Sequence, residues 1–425
     1  MRRVVVTGLG AVTPIGTGVE AFAQALLEAT PGIDQIASFD ARSFPTRIAG
    51  EVTDLSLNAV ELPAAEGAAL RRDRKSLFGL VAAREALRQA FGDGAPTTFY
   101  AAERIAVRLA AGLEIFHLED LVSHVGRGTI DVPALRAAMA RLDVDSHLQI
   151  PAHLGARVIA REAGARGSVG INVSACAAGT QAVGEAWHLI RDGVADLVVT
   201  GGYDSMVNPL AVAGFSMLQA LSRSNELGPG ASRPFDRRRD GFVLGEGGGV
   251  CVLESYESAV RRGATLHGEI LGYASNLDAY RVTDPPPDQR GTIAVMRAAL
   301  ASAGLGAADI DYINAHGTAT LKNDPSETRA IREVFGEHAA HLPVSSTKSQ
   351  IGHLIGAAGA VELVAALLAI RHDHAWATIN LHDPDPECDL DYVPLTPRPA
   401  AVRTVLSNSF GFGGQNACII VSRVR

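Results

Sequence analysis

Short β-branched and apolar runs alternate along this chain with longer stretches rich in Ala and Leu. The clearest extended runs cover residues 3–7, 170–174, 196–200, 249–254 and 404–408, and the clearest helical ones 77–91, 178–192, 292–303 and 358–372. Strands interleaved with helices predict an α/β fold whose sheet is covered on both faces. The run 196–200, DLVVT, is nearly all apolar, as a strand buried on both faces must be. Each half runs strand, helix, then a turn bearing a reactive side chain. Cys176 follows one apolar strand and His316 follows another, 312–315. A duplication with halves 1–258 and 259–425 is therefore expected, although no high-identity repeat is visible. VTDPPPDQ, 282–289, must be an extended loop. GEGGG, 245–249, reads as a tight turn leading into a strand, and 126–153 as additional surface helices.

Composition narrows the function classes. The 425 residues are 47% hydrophobic and 20% charged, which excludes general disorder. A net charge of −8 argues against nucleic acid as the main partner, though a local basic patch on an acidic protein remains compatible with an acidic protein partner. Arg greatly outnumbers Lys: Lys75, Lys322 and Lys348 are all the lysines there are. The cysteines, Cys176, Cys251, Cys388 and Cys418, form no CxxC or Cys/His finger spacing, so no metal site is expected. Scattered thiols fit a reducing, cytoplasmic setting. The start, MRRVVVTGLGAV, lacks the apolar core of a signal peptide, and no run of about 18 uncharged apolar residues predicts a membrane span.

Four blocks carry candidate chemistry. NVSACAAGT, 172–180, ends an apolar strand at a small-residue turn and starts a helix after Cys176. Unpaired N–H groups and the dipole at a helix start favour thiolate. Taken alone, Cys176 reads equally as a nucleophile or as a buried structural thiol; Cys251 and Cys418, inside strand-like runs, read as structural. NAHGTATLKND, 314–324, delivers His316 into a turn with Gly317, Thr318 and Thr320, suited to a thin ligand and to acid/base work, or a turn formed for its own sake. SSTKSQIGHLIGAAGAVE, 345–362, brings Lys348, His353 and Glu362 along a slender helix start, which close helix packing alone would also explain. SNSFGFGGQNA, 407–417, has no GK[ST], so it is no nucleotide P-loop; it reads as a flexible turn or as a mobile gate with Phe412 as its blocking side chain.

Together and in this order, NVSACA, NAHGT, TKSQIGH and NSFGFGG resemble the β-ketoacyl-ACP synthases of the thiolase superfamily, as do ASRPFDRRRDGFVLGEG, 231–247, and PECDLDYVP, 386–394. The resemblance spans essentially the whole chain and is nearest the synthase II type, with type II polyketide ketosynthase subunits close by. It implies a thiolase-like fold, five αβαβα layers in two similar halves, and a dimer paired through the strand before the nucleophile. It implies that Cys176 accepts the acyl chain from an acyl carrier protein, and that His316 and His353, as neutral rings donating through Nε2 with tautomers set by partners, serve malonyl decarboxylation. Lys348 would organise them. The N–H groups of Cys176 and Phe412 would form an oxyanion hole, Phe412 would gate malonyl access, and Thr318 and Thr320 would touch the pantetheine arm. Glu362 matches a supporting carboxylate near which some relatives hold a monovalent cation. No other cofactor is implied, since the phosphopantetheine arm arrives on the carrier. Arg71, Arg72, Arg74 and Lys75, aided by Arg223, could dock that acidic carrier, or be an ordinary solvated helix start.

Three departures point to specialised chemistry. VRLAAGLEIF, 107–116, stands where the family has a Gly-rich turn, and Ala110 would lengthen an acyl pocket there. The stretch 121–153 is divergent, and Gln415 stands where Thr is usual. A polyene or other polyketide synthase is therefore expected. The rival readings are an obligate subunit paired with a chain-length factor; a non-catalytic factor, against which Cys176 argues; and a thiolase, against which the His–Lys–His set argues. Acyl chain length and unsaturation are not legible.

Overall fold

The computed structural model describes residues 1–62, 67–113, 131–139 and 152–424. Ten strands form the main sheet path: β1 (Val4–Thr13), β2 (Ile105–Ala111), β3 (Val169–Asn172), β4 (Leu197–Ser205), β5 (Leu244–Ser255), β6 (Gly268–Leu277), β7 (Tyr312–Asn314), β8 (Val344–Ser345), β9 (Thr404–Gly411) and β10 (Gln415–Ser422). Their spatial order is β8-β7-β9-β10-β6-β1-β5-β4-β2-β3. Outward from the middle, β1-β5-β4-β2-β3 and β6-β10-β9-β7-β8 are the same arrangement twice, with parallel pairing at the outer end and antiparallel pairing within. The two sets meet where Val4–Val6 pairs antiparallel with Gly268–Ile270.

Five helices complete the layers: α1 (Arg74–Phe91), α2 (Ala178–Arg191), α3 (Arg290–Ala303), α4 (Asn323–Phe335) and α5 (Ala358–His372). α1 lies on β1, β5 and β4, and α3 on β6 and β10, as outer covers. α2 and α5 pack on each other and on strands of both halves, which places them between the two sheet faces. The result is the helix–sheet–helix–sheet–helix stack expected, in two similar halves.

Central helices must be apolar all round, and α5 is: it is buried from Ala358 to Ile370. The 18-residue stretch Ile355–His372, of mean hydropathy 1.5, is long and apolar enough for a membrane span, yet 89% of it is buried inside the protein. Each Leu or Val it buries contributes roughly 1.5–3 kcal/mol. The small residues at its start let α2 approach: a Cβ on Gly179 would lie 2.7 Å from the Ala360 nitrogen. Close packing, the plain reading of this slender helix start, is thus real.

The run 245–249 is not the tight turn expected. It lies inside β5, every residue of which is buried. Its glycines are there because α5 rests directly on the strand: a Cβ on Gly249 would sit 2.8 Å from the Val361 nitrogen. The 282–289 segment is a loop, as expected. Of the stretch 126–153, Val132–Met139 is helical and most of the rest lies outside the described residues.

Candidate active site

Cys176 sits in a 3-10 turn, Ala175–Ala177, between β3 and α2 and is buried. Ala175 adopts φ 51, a left-handed conformation costing on the order of 1 kcal/mol that surrounding packing must hold. His353 reaches this turn from the segment after Ile351, with Nε2 3.0 Å from the Cys176 Sγ. The Ile355 N–H donates to His353 Nδ1 at 3.2 Å. Nδ1 is therefore the acceptor, and the ring proton lies on Nε2, facing sulfur. Here a partner sets the tautomer, as expected.

His316 leaves the end of β7 and crosses His353 edge-on, with ring centroids 5.4 Å apart. Its turn is held by two carboxylates that the sequence reading missed. Glu327 on α4 accepts the N–H groups of His316 and Gly317, each at 2.8 Å, and Asp324 accepts that of Thr318 at 3.2 Å. Gly317 has φ +36, and a Cβ there would meet Ser346 Cβ at 2.6 Å, so no other residue fits. Among the described residues His316 Nδ1 has no hydrogen-bond partner, so the expected fixing of both tautomers by partners is seen for His353 and not for His316. Burial, then the nearby Lys348 charge, drives both histidines well below the usual imidazole range. Both rings are neutral at physiological pH.

The N–H groups at the helix start favour thiolate, as expected, but burial acts more strongly in the opposite direction. Burial pushes the thiol up to about 11, while the Phe412 N–H, the Lys348 charge and its own N–H pull it down. The resting group is a thiol. The two N–H groups that meet it are those expected to bind a developing oxyanion, and Gly411 keeps them accessible: a Cβ there would lie 3.2 Å from the Cys176 nitrogen. The Phe412 ring stacks on Phe215 at 6.3 Å, between β9 and the left-handed pair Gly413 and Gly414. Those positive φ values are ones that glycine adopts without steric cost.

Lys348 and Glu362 form a fully buried ion pair. Among the described residues Glu362 Oε2 has no hydrogen-bond partner. An orphaned buried carboxylate oxygen fits the monovalent cation that the resemblance associates with Glu362, and Glu362 would hold such an ion beside the Lys348 ammonium. Potassium or sodium chloride should then stabilise the fold relative to tetramethylammonium chloride, by about 2.7 kcal/mol at a hundred times the dissociation constant. Glu362→Gln should erase the difference.

A cavity of about 360 Å³ opens onto Cys176, His316 and His353, with Phe412, Thr318 and Thr320 in its walls. The two threonine hydroxyls are 3.0 Å apart. The sulfur and the two rings bring potential ligand atoms within 4.8 Å, a spacing that also suits a metal. The proton on His353 Nε2 and the adjacent Lys348 charge suit it instead to carrying developing negative charge.

The docking cluster does not survive as drawn. Lys75 is buried and paired with Asp73 at 2.7 Å. Arg74 grips both oxygens of buried Glu246 at 2.9 Å. Arg71 is exposed but donates to the carbonyls of Leu57 and Val60, and Arg223 is exposed. The cations at the cavity mouth are instead Arg281 and Lys322, both on Asp284. Gln415 accepts from Gln181 at 3.3 Å, and Ala110 clusters with Ala178 and Ala182 behind the nucleophile turn.

Two family models match, "Beta-ketoacyl synthase, N-terminal domain" over residues 1–259 and "Beta-ketoacyl synthase, C-terminal domain" over 267–382. A 3-oxoacyl-[acyl-carrier-protein] synthase 2 of Synechocystis is 43% identical over 422 residues, covering 98% of this chain and 97% of that protein. Among solved structures, the ishigamide ketosynthase/chain length factor is 35% identical with a TM-score of 0.86, and a type II polyketide acyl carrier protein in complex with its ketosynthase is 32% identical with a TM-score of 0.84. Each of these two alignments covers 100% of both chains.

Proposed function

The chain belongs to the β-ketoacyl synthase family, acyltransferases that form carbon–carbon bonds, and from that premise we propose that it condenses an acyl group on Cys176 with malonyl-ACP. The observation that carries this reading is the His353 Nε2–H directed at the Cys176 sulfur, beside a second neutral histidine on the same cavity. The Cys176 sulfur attacks the acyl-carrier thioester while the N–H groups of Cys176 and Phe412 hold the tetrahedral oxygen; the carbonyl–sulfur bond to the pantetheine arm then breaks, and the proton lost from Cys176 ends on the departing pantetheine thiol. Loss of CO₂ from malonyl leaves an enolate, whose oxygen takes donors from His316 and His353. The enolate carbon then attacks the acyl-Cys176 thioester, and the sulfur leaves with its stabilising N–H groups in place. Two neutral rings suit this, since neither must first lose a proton. Lys348 and Glu362 support the rings, and the Phe412 loop admits the malonyl unit.

The acyl carrier protein brings both substrates on its phosphopantetheine arm, past Thr318 and Thr320. The carrier meets Arg281 and Lys322 at the mouth, with exposed Arg71 and Arg223 as further surface cations, and not Arg74 and Lys75, which are engaged by Glu246 and Asp73. Halves 1–258 and 259–425 are the two structural units, supported by the strand order that begins again at β6. The setting is cytoplasmic.

Specialised polyketide or polyene elongation, rather than housekeeping fatty-acid synthesis, rests on the sequence departures at 107–116, 121–153 and Gln415; Ala110 packs with Ala178 and Ala182 and does not line the cavity described above. Acyl-ACPs of graded length, incubated with malonyl-ACP and weighed by mass spectrometry, should yield products two carbons longer, with long or unsaturated primers preferred. A preference for short saturated primers overturns the specialised reading; no elongated product with any primer overturns condensation. A second reading, a subunit paired with a chain-length factor, is supported by the likeness to a ketosynthase/chain length factor structure; β3, an edge strand with Val169 46% and Val173 beside it 45% exposed, is the surface that a second copy or such a factor would cover. Native mass of the purified chain distinguishes a homodimer from a monomer awaiting a partner.

A further inference from the structure

Asp204 is a fully buried acid with no place in the mechanism above. It lies near the end of β4, and its Oδ2 accepts the Gly356 N–H at 2.8 Å. Gly356 belongs to the 3-10 turn Ile355–Ala357, which packs on the nucleophile turn. The preceding residue in that turn, Ile355, has φ 45. A β-branched side chain in left-handed backbone costs on the order of 1–3 kcal/mol and persists where neighbours over-determine it. That strain points the Ile355 N–H at His353 Nδ1, 3.2 Å away, and His353 Nε2 then meets sulfur at 3.0 Å.

We infer that Asp204 is a positioning residue: by gripping the Gly356 N–H it locks the strained turn Ile355–Ala357, and through the Ile355 N–H it fixes the tautomer and orientation of His353 on Cys176. The fit around the carboxyl is close. A Cβ on Gly356 would lie 3.0 Å from the Ala111 carbonyl, and one on Gly112 would lie 1.9 Å from Asp204 Oδ1. Among the described residues that oxygen has no hydrogen-bond partner, so the site keeps the Gly356 contact alongside a costly orphan. A residue serving packing alone would not need to accept a hydrogen bond there.

The charged groups acting on Asp204 are Lys75 and Asp73, paired with each other at 2.7 Å at the start of α1; its strand neighbours Tyr203 and Ser205 point to the other face, where the Ser205 hydroxyl donates to Glu246 at 2.7 Å. Cys176 and His353 lie beyond the turn. Burial raises the Asp204 carboxyl to about 7, opposed by the Gly356 N–H and Lys75. The fold favours the protonated acid, so stability is lost as pH rises from the ordinary carboxylate value toward 7.

The inference rests on Cys176 as nucleophile, and its test does not need the condensation reaction. Alkylation of Cys176 by iodoacetamide, mapped by mass, is followed between about pH 6 and pH 8 together with kcat, KM and melting temperature. Asp204→Asn keeps an acceptor for Gly356. It should alkylate within about threefold of the parent, lose the inflection near neutrality and melt higher at pH 8. Asp204→Ala loses the acceptor. It should show an altered alkylation profile and a kcat lower by about tenfold to a hundredfold, with KM nearly unchanged, as for other outer partners of catalytic histidines. Overturning results are an Ala variant that changes only its melting temperature, or an Asn variant as impaired as Ala. If the Ala variant does not fold, Asn alone decides, and a retained inflection overturns the inference.

Discussion

Cys176→Ala lowers condensation by about a million-fold, the scale of deleting a covalent nucleophile, while the fold and part of the malonyl decarboxylation persist. The two half-reactions separate because they use different groups. Condensation needs an acyl thioester on the enzyme, and without sulfur none forms. Decarboxylation needs donors where the enolate oxygen develops, and His316 and His353 keep theirs: both are buried and neutral for reasons of burial and the Lys348 charge, not of sulfur. The substitution removes one small atom group from a site whose neighbours are held independently. His353 keeps its Ile355 donor, and the His316 turn keeps Glu327. Its unfolding free energy should therefore stay within about 2 kcal/mol of the parent's. Carbon dioxide release and elongated thioester are measured side by side. Elongation at the parent rate would remove Cys176 from the mechanism; loss of both reactions with the fold intact would mean that sulfur also serves decarboxylation.

The parts of this site legible in the sequence are those that end a strand and meet small residues. Cys176, His316, Lys348, His353 and Phe412 each stand beside glycines, alanines or hydroxyls that leave space for a substrate, and their order along the chain is distinctive. The residues that hold them were not legible. Glu327 and Asp324 lie on α4, where acids on a polar helix read as a solvent face, yet both are buried because they take backbone N–H groups of the His316 turn. Asp204 followed an apolar strand as any loop acid would. Lys75 failed in the opposite direction: a basic run at a helix start looked solvated, while the fold drew one of its members inward to Asp73. The thiol's protonation was not legible because a sequence shows the helix start but not the depth of burial, and burial is the larger effect. The α/β alternation was plain from the hydrophobic pattern. The duplication was faint, because what repeats is strand order and pairing direction, and those leave little trace in residue identity.

Lys348→Met tests whether the buried pair is structural support, electrostatic control, or both. Methionine nearly preserves the shape but strands the Glu362 carboxylate, and removing one partner of a buried pair costs about 3–5 kcal/mol. The loss depends on pH in a definite direction. Burial already pushes Glu362 upward, with the Lys348 ammonium opposing it; without the ammonium the carboxyl rises further. The folded variant then holds a proton that the unfolded chain releases, so stability is lost as pH rises from the ordinary carboxylate value through the raised folded one. Denaturation should show the largest deficit at alkaline pH and a smaller one in mild acid. Adding Glu362→Gln removes the stranded charge and should recover most of the stability, since uncharged replacement of both partners is often nearly neutral. Activity should not follow. The ammonium lowers both histidines, but burial is the larger cause, so the rings remain neutral without it. What the double variant lacks is the positive charge that offsets the enolate, and its kcat should stay about a hundredfold low, the scale of losing one preorganised electrostatic donor. A stable but slow double variant assigns the charge to the reaction; full activity would leave Lys348 with a structural role alone.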